Sequence, residues 1–249
     1  MLHVVCLKWG DKYSSEYVNR LYKMVRHNLK RTFKFHCITE DPQGIDSSIL
    51  IEQLPKVDLK GWWYKLAIFK KDFLNLDESD RVLFLDLDIV ITGPLDQLID
   101  FDERFCITPG VLKNTYNSSI MCFDAGKYGF IWDSFLAQKE LIMNEMHGDQ
   151  DWIQHVYKNA VVYPKSLVKS FKLDLDSKIK FKFGKLGRSL RKRYTFFLPR
   201  GTVPYPVGTS VVLFHGKPDP HDVMEKPYDI YRRAPWVKDI YKEVESEFI

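Results

Sequence analysis

Strand-length apolar runs alternate with segments of helical spacing along this chain, and one of the runs ends in a pair of carboxylates. That segment, Arg81-Val82-Leu83-Phe84-Leu85-Asp86-Leu87-Asp88-Ile89-Val90-Ile91, constrains the fold most. Leu83, Phe84 and Leu85 read as a buried strand. Asp86 and Asp88 stand two residues apart, and strand residues at that spacing face one side. The two carboxylates can therefore converge where the strand leaves the core, and they repel unless a positive charge lies between them. A hard divalent cation, Mg²⁺ or Mn²⁺, suits such ligands and usually bridges to substrate phosphates. An Asp at a strand end also serves simply to cap the turn that follows, and Thr92-Gly93-Pro94 provides such a turn.

The surrounding pattern sets the fold class. Leu2 to Leu7 reads as a first strand, followed by Val18, Leu21, Tyr22, Val25 and Leu29 at helical spacing. Phe35–Thr39 and Ser48–Leu54 are further strands, and Gly61-Trp62-Trp63-Tyr64-Lys65 opens a helix before the carboxylate strand. Phe105–Thr108 and Ser119–Phe123 follow as strands, Ile131–Met146 as a helix, and Gly148-Asp149-Gln150-Asp151 as the start of another. Ala160–Tyr163 and Ser210–Phe214 are late strands, and Trp236, Val237, Ile240, Tyr241 and Val244 mark a closing helix. Strands alternating with helices imply an α/β fold whose sheet is mainly parallel and flanked by helices. Ligands of such sheets bind beyond the carboxyl ends of the strands, which is where the Asp pair stands.

With 249 residues and 45% hydrophobic content, the chain can bury a sizeable core, which excludes global disorder. No apolar run reaches the 18 residues of a membrane span. The apolar start, Met1 to Leu7, lacks a basic leader and a cleavage site, so the cytoplasm is the expected location. Cys6, Cys37, Cys106 and Cys122 are far apart and sit in apolar segments, which suggests reduced, buried thiols. The net charge of +4 hides an asymmetry. Residues 165–193 hold eleven Lys or Arg against Asp174 and Asp176. Taking these from the 37 basic and 33 acidic residues leaves 26 against 31 for the rest. The basic stretch attracts anionic headgroups or lipid-linked phosphates, or it is a solvated and mobile loop.

Four further groups of residues carry chemistry. His215 follows the apolar run 211–214 and can offer a neutral nitrogen to a metal. Gly216 lets a ligand approach the backbone, and Lys217 can meet a phosphate as a point charge. Asn117-Ser118-Ser119, entering a strand, can bond ligand hydroxyls or form a turn. Asp149-Gln150 at a helix start is either a cap or a carboxylate and amide aimed at a reacting centre. Trp62 and Trp63 cannot share one helix face, so one of them can face a cleft, near Lys65.

The order of these segments resembles the retaining, GT-A-fold glycosyltransferases of the glycogenin and bacterial lipopolysaccharide galactosyl- and glucosyltransferase group. The resemblance covers residues 1–220 and rests on Tyr64-Lys65-Leu66, Asp86-Leu87-Asp88, Asn117-Ser118-Ser119, Asp149-Gln150 and His215-Gly216-Lys217-Pro218. Ser119 stands where that group usually has Gly. The His segment is shortened, and Trp236 lies far from the position of the group's closing Trp.

The resemblance implies a single GT-A (Rossmann-like) domain. Residues 1–100 form the nucleotide-binding half, 101–220 the donor-sugar and acceptor half, and 221–249 a helical tail. It implies transfer of a sugar from a nucleotide diphosphate, most often UDP, to an acceptor hydroxyl on a glycan or lipid-linked molecule. Mn²⁺ or Mg²⁺ would be held by Asp86, Asp88 and His215. Lys8 and Trp9 would lie near the base, Lys65, Gly216 and Lys217 near the diphosphate, and Asn117 and Asp149 on the donor sugar, with Gln150 near the reacting carbon. The basic stretch would dock on an anionic membrane face, and no nucleic-acid partner is expected. A haloacid-dehalogenase-type phosphohydrolase shares the apolar strand and Asp-x-Asp, but its motif normally stands near the chain start. An inactive nucleotide-sugar-binding module is the third reading.

Overall fold

The structure, a computed structural model, describes residues 1–176 and 201–247. The chain divides into two compact units interleaved in sequence. Met1–Tyr22, Lys30–Leu87 and Asp96–Pro164 form the first; Lys23–Leu29, Asp88–Leu95 and Lys165–Ile249 form the second.

Strands and helices alternate through the first part of the chain: β1 (Leu2–Lys8), α1 (Ser15–Asn28), β2 (Phe33–Thr39), β3 (Leu50–Glu52), a 3-10 helix (Gly61–Phe69), β4 (Arg81–Leu85), β5 (Ile89–Ile91) and α2 (Asp96–Ile99). Then come β6 (Cys106–Pro109), β7 (Tyr116–Asp124), α3 (Gly129–Ala137), α4 (Lys139–Glu145), α5 (Asp149–Val156) and β8 (Val161–Val162). The first unit is built on a seven-stranded mixed sheet of order β3-β2-β1-β4-β7-β6-β8. β1 pairs in parallel with both β2 and β4, whereas β7 runs antiparallel to β4 and to β6. The parallel strands are apolar on both faces, as covered strands must be: Val4, Val5 and Cys6, and Val82 through Leu85, are buried. Trp63, Leu66, Phe69, Phe105, Phe123, Ile131, Phe135 and Trp152 pack with Val5 and Phe84 into one core.

The second unit holds a three-stranded sheet of order β5-β10-β9, with β9 at Val168–Ser170 and β10 at Val211–Leu213. β10 is antiparallel to β5 and parallel to β9. Phe171 stacks on Phe214 with ring centroids 4.5 Å apart. The helix α6 (Trp236–Ser246) buries Trp236, Val237, Ile240, Tyr241 and Val244, the stripe read from the sequence.

Several boundaries differ from the sequence reading. The carboxylate strand stops at Leu85, and residues 86–88 turn before β5 joins a different sheet. Strand alternation therefore does not orient the Asp pair. The segment read as one helix from Ile131 to Met146 breaks at Gln138, which leaves the helical region at φ −140°. The expected helix at Trp62 is a 3-10 helix, and its run of buried residues from Trp63 to Phe69 explains why no amphipathic period marks it. The basic stretch is not loop throughout. Residues 165–176 contribute β9 and one helical turn, Phe171–Leu175. Its remainder, 177–193, lies outside the described residues. All four cysteines are free and buried. Among the described residues no helix is long and apolar enough to cross a membrane.

Candidate active site

β1, β2 and β4 are parallel, so their carboxyl ends share one edge of the sheet. β7 is antiparallel to β4, with Leu85 opposite Ile120. This brings the start of β7, not its end, to the same edge. The Asp86 N–H donates to the Ser119 carbonyl across that junction, at 2.9 Å. Asp86 and Ser119, 33 residues apart in sequence, thereby meet because of strand direction alone.

Lys65 reaches the same place from the 3-10 helix. It is buried, and its Nζ lies 2.9 Å from Asp86 Oδ1 and 3.7 Å from Asp149 Oδ2. The amine also donates to the Ser118 Oγ at 3.1 Å and the Ser118 carbonyl at 3.3 Å. It stands 5.0 Å from the centre of the Phe84 ring, a favourable position for a cation. A buried ammonium needs such partners, because the cost of removing it from water is several kcal/mol. Asp149 is 4% exposed at the start of α5. Burial pushes its carboxyl pKa above the ordinary value, opposed by the Lys65 charge. Among the described residues its Oδ2 has no hydrogen-bond donor. Leaving a buried acceptor unsatisfied costs about 1–3 kcal/mol, and such a group in a native fold calls for an explanation.

Asn117 and Gln150 complete this edge. The Asn117 Nδ2 donates to Gln150 Oε1 at 3.4 Å. Asn117 Oδ1 accepts from the Ser119 N–H at 3.0 Å and from Thr108 Oγ1 at 2.9 Å, which holds the amide in one orientation. At the end of β1, Lys8 is buried and pairs with Asp41 Oδ2 at 3.4 Å, while Trp9 is partly exposed with its ring 6.0 Å from Tyr64. Of the two adjacent tryptophans, Trp63 is in the core and Trp62 is exposed.

In the second unit, the Phe214 N–H donates to the Asp88 carbonyl at 3.1 Å, which sets Asp88 beside the strand that delivers His215. Both Asp88 and the core around it are buried. His215 Nε2 and Ser170 Oγ share a hydrogen bond of 3.0 Å. Burial, and then the Lys172 charge, lower the His215 pKa, which favours the neutral ring. Lys172 Nζ donates to the His215 carbonyl and would lie 3.6 Å from a Cβ built on Gly216, whose φ of +64° is the left-handed region that favours glycine. No sequence pattern marks Ser170 and Lys172; the pairing of β9 with β10 brings Ser170 to His215, and the turn after β9 brings Lys172.

Lys217 has another setting than a point charge awaiting phosphate. Its Nζ sits 2.7 Å from Asp219 Oδ2 and 3.0 Å from Asp222 Oδ2, and these contacts raise its pKa. Asp219, His221 and Asp222 are the one group of three metal-ligand side chains brought within 4.8 Å among the described residues. The Lys217 ammonium already pairs with both carboxylates there.

By sequence, the chain matches no protein-family model and no curated protein. Its structure is similar to solved glycosyltransferases. An active-site Gln-to-Glu mutant of LgtC matches with a TM-score of 0.64 and 12% identity, over 98% of this chain and 95% of that one. The galactosyltransferase LgtC in complex with donor and acceptor sugar analogues matches with a TM-score of 0.62 at 13% identity, over 97% and 95%. The glycosyltransferase GlyE of Streptococcus pneumoniae TIGR4 gives 0.59 and 14%, over 99% of this chain but only 63% of GlyE. The chain thus has the GT-A, Rossmann-like α/β fold.

Proposed function

We propose that this protein is a metal-dependent glycosyltransferase. It moves a sugar from a nucleotide diphosphate donor, with a UDP-sugar the expected one, to the hydroxyl of a glycan or lipid-linked acceptor, as in lipopolysaccharide or other glycan synthesis. The observation that carries this reading is the meeting of Lys65, Asp86 and Asp149 around one buried ammonium in a GT-A fold. The three come from separate motifs whose order the glycosyltransferase resemblance predicts.

Among the described residues Asp86, Asp88 and His215 do not stand as a preassembled cluster; it is their donor types that suit a divalent ion. Asp86 and Asp88 offer hard carboxylate oxygens, and His215, its neutral form favoured by burial, offers an imidazole lone pair. Such a mixed O,N set suits Mn²⁺ or Mg²⁺. When bound, the ion supplies Lewis-acid stabilisation of the charge on a departing diphosphate.

The chain's own groups account for the rest. Lys65 fixes the Asp86 carboxylate and adds positive field at the sheet edge. Lys172 and Gly216 offer a cation and an open backbone to a phosphate, a role better matched to Lys172 than to Lys217 in its carboxylate pair. Asp149 and Asn117 accept and donate hydrogen bonds to donor-sugar hydroxyls. Gln150, tethered to Asn117, lies nearest the reacting carbon; LgtC likewise carries an active-site glutamine. Lys8 and Trp9 flank the nucleotide base. Retention of the anomeric configuration follows from the resemblance. The basic stretch 165–193 docks the enzyme on an anionic cytoplasmic membrane face, where a lipid-linked acceptor resides.

Calorimetric titration with UDP, GDP, CDP and their sugars, with and without Mn²⁺, tests the reading. Tight Mn²⁺-dependent binding of one nucleotide family is expected. Absence of nucleotide binding, with phosphate released from simple phosphomonoesters, would identify a hydrolase instead.

A further inference from the structure

Trp62 and Trp63 are neighbours in the 3-10 helix and have opposite fates. Trp63 is 5% exposed and stacks on Phe135, with ring centroids 5.3 Å apart and planes 7° from parallel. That stacking anchors the helix. Trp62 is 55% exposed, the most exposed of the six tryptophans. The largest apolar side chain is therefore held at the surface by a rigid neighbour.

Its position is specific. A Cβ built on Gly148 would lie 2.8 Å from Trp62 Nε1 and 3.2 Å from Cδ1. The backbone of Gly148 is fully extended, at φ −179° and ψ −179°, a conformation open to any residue. A side chain here would displace the indole rather than strain the backbone. The Gly148 carbonyl accepts from the Asp151 and Trp152 N–H groups at the start of α5, so the surface under the indole is fixed. Gly148 directly precedes Asp149 and Gln150. An exposed aromatic ring therefore lies against the backbone that leads directly into Asp149 and Gln150, whose side chains meet Lys65 and Asn117.

An apolar ring next to hydrogen-bonding amides is the chemistry that matches a pyranose, which has a C–H face and a rim of hydroxyls. The electron-rich face of an indole attracts such weakly positive hydrogens. The geometry points to Trp62, seated on Gly148, as the platform on which a sugar ring of the acceptor glycan stacks. This rests on the glycosyltransferase reading above. The acceptor is favoured over the donor because Asp149, the candidate donor-sugar ligand, is buried, whereas Trp62 opens to solvent, where a glycan can extend.

The test uses the full chain with Mn²⁺ and UDP on an array of bacterial surface oligosaccharides, with Trp62→Ala, Trp62→Phe and Gly148→Val compared. Wild type retains at least one glycan. Trp62→Ala weakens that binding about tenfold and Trp62→Phe by less than about threefold, as expected for loss or conservation of one aromatic contact. Gly148→Val, which leaves the tryptophan in place but displaces it, behaves like Trp62→Ala. Equal binding by wild type and Trp62→Ala, or no glycan held by wild type, overturns the platform. Nucleotide release from nucleotide sugars by the same wild-type preparation tests the transferase reading separately, so the two can fail independently.

Discussion

Lys65 and Asp86 form a buried ion pair of 2.9 Å at the edge where β4 ends, and the same ammonium lies 3.7 Å from Asp149. One positive charge thus serves two carboxylates, one of them fully enclosed. Lys65→Met removes the charge and leaves the carboxylates facing each other. The expected cost is about 3–5 kcal/mol, the usual result of breaking a buried pair by deleting one partner. Lys65→Met/Asp149→Asn recovers part of that loss, with a coupling of about 1–3 kcal/mol. Urea unfolding at pH 7 of the four members of the cycle measures it, and strict additivity would show that the pair is not energetically linked.

The adjacent tryptophans separate core packing from surface. Trp63→Ala empties a stacked position in the core and lowers stability by about 3–5 kcal/mol. Trp62→Ala, at the surface, changes it by less than about 0.5 kcal/mol. Thermal unfolding of the two variants gives the contrast directly.

Gly93, in the Thr-Gly-Pro turn after β5, has no room for a side chain. A Cβ there would lie 2.9 Å from the Thr209 carbonyl, and backbone cannot swing aside as a side chain can. The turn is pinned by Thr92 N–H to the Ser210 carbonyl at 2.8 Å and by Ser210 Oγ–H to the Pro94 carbonyl at 2.8 Å. Gly93→Ala therefore costs about 1–3 kcal/mol of overpacking strain, visible as a lowered denaturation midpoint.

His3 gives the fold a pH dependence. It is buried, shares a 2.9 Å hydrogen bond with His36, and lies 3.3 Å from Asp80. Burial and then His36 lower its pKa from 6.5, against the opposing pull of Asp80. The unfolded chain therefore binds a proton that the folded chain refuses. The His3 contribution is present in full above about pH 6.5 and is lost as pH falls toward the folded pKa, by at most about 1.4 kcal/mol per pH unit. Urea midpoints between pH 7.5 and 5 should fall on acidification, and His3→Gln should flatten that slope. An unchanged slope in the variant would assign the effect to other groups.

Much of the fold was legible because covered parallel strands announce themselves as apolar runs, as in Val82–Leu85, and because α6 keeps a strict helical stripe. The break at Gln138 was not legible: neither Gly nor Pro marks it. Neither was β9, a short strand inside a stretch dominated by charge. In the site, the motif positions of Lys65, Asp86, Asn117, Asp149 and Gln150 could be read, but their contacts could not. Ser118 meets Lys65 across 53 residues through packing of the 3-10 helix at the start of β7, and Ser170 meets His215 across 45 through the β9–β10 pairing; no local pattern encodes either. Lys217 illustrates the converse. Its neighbours Asp219 and Asp222 were visible in sequence, yet only the turn geometry shows that they take both of its hydrogen bonds.

The most direct test of the central claim is nucleotide release from a panel of nucleotide sugars in the presence of Mn²⁺. Wild type is expected to release nucleotide from one donor, and chelation of the metal should abolish it. Asp86→Asn and Asp88→Asn, each folded by circular dichroism, are expected to lower the rate about 100-fold or more, the scale for losing a principal electrostatic contact to a reacting centre. A folded wild-type protein that turns over no nucleotide sugar, or Asp86→Asn turning over at the wild-type rate, would contradict the account.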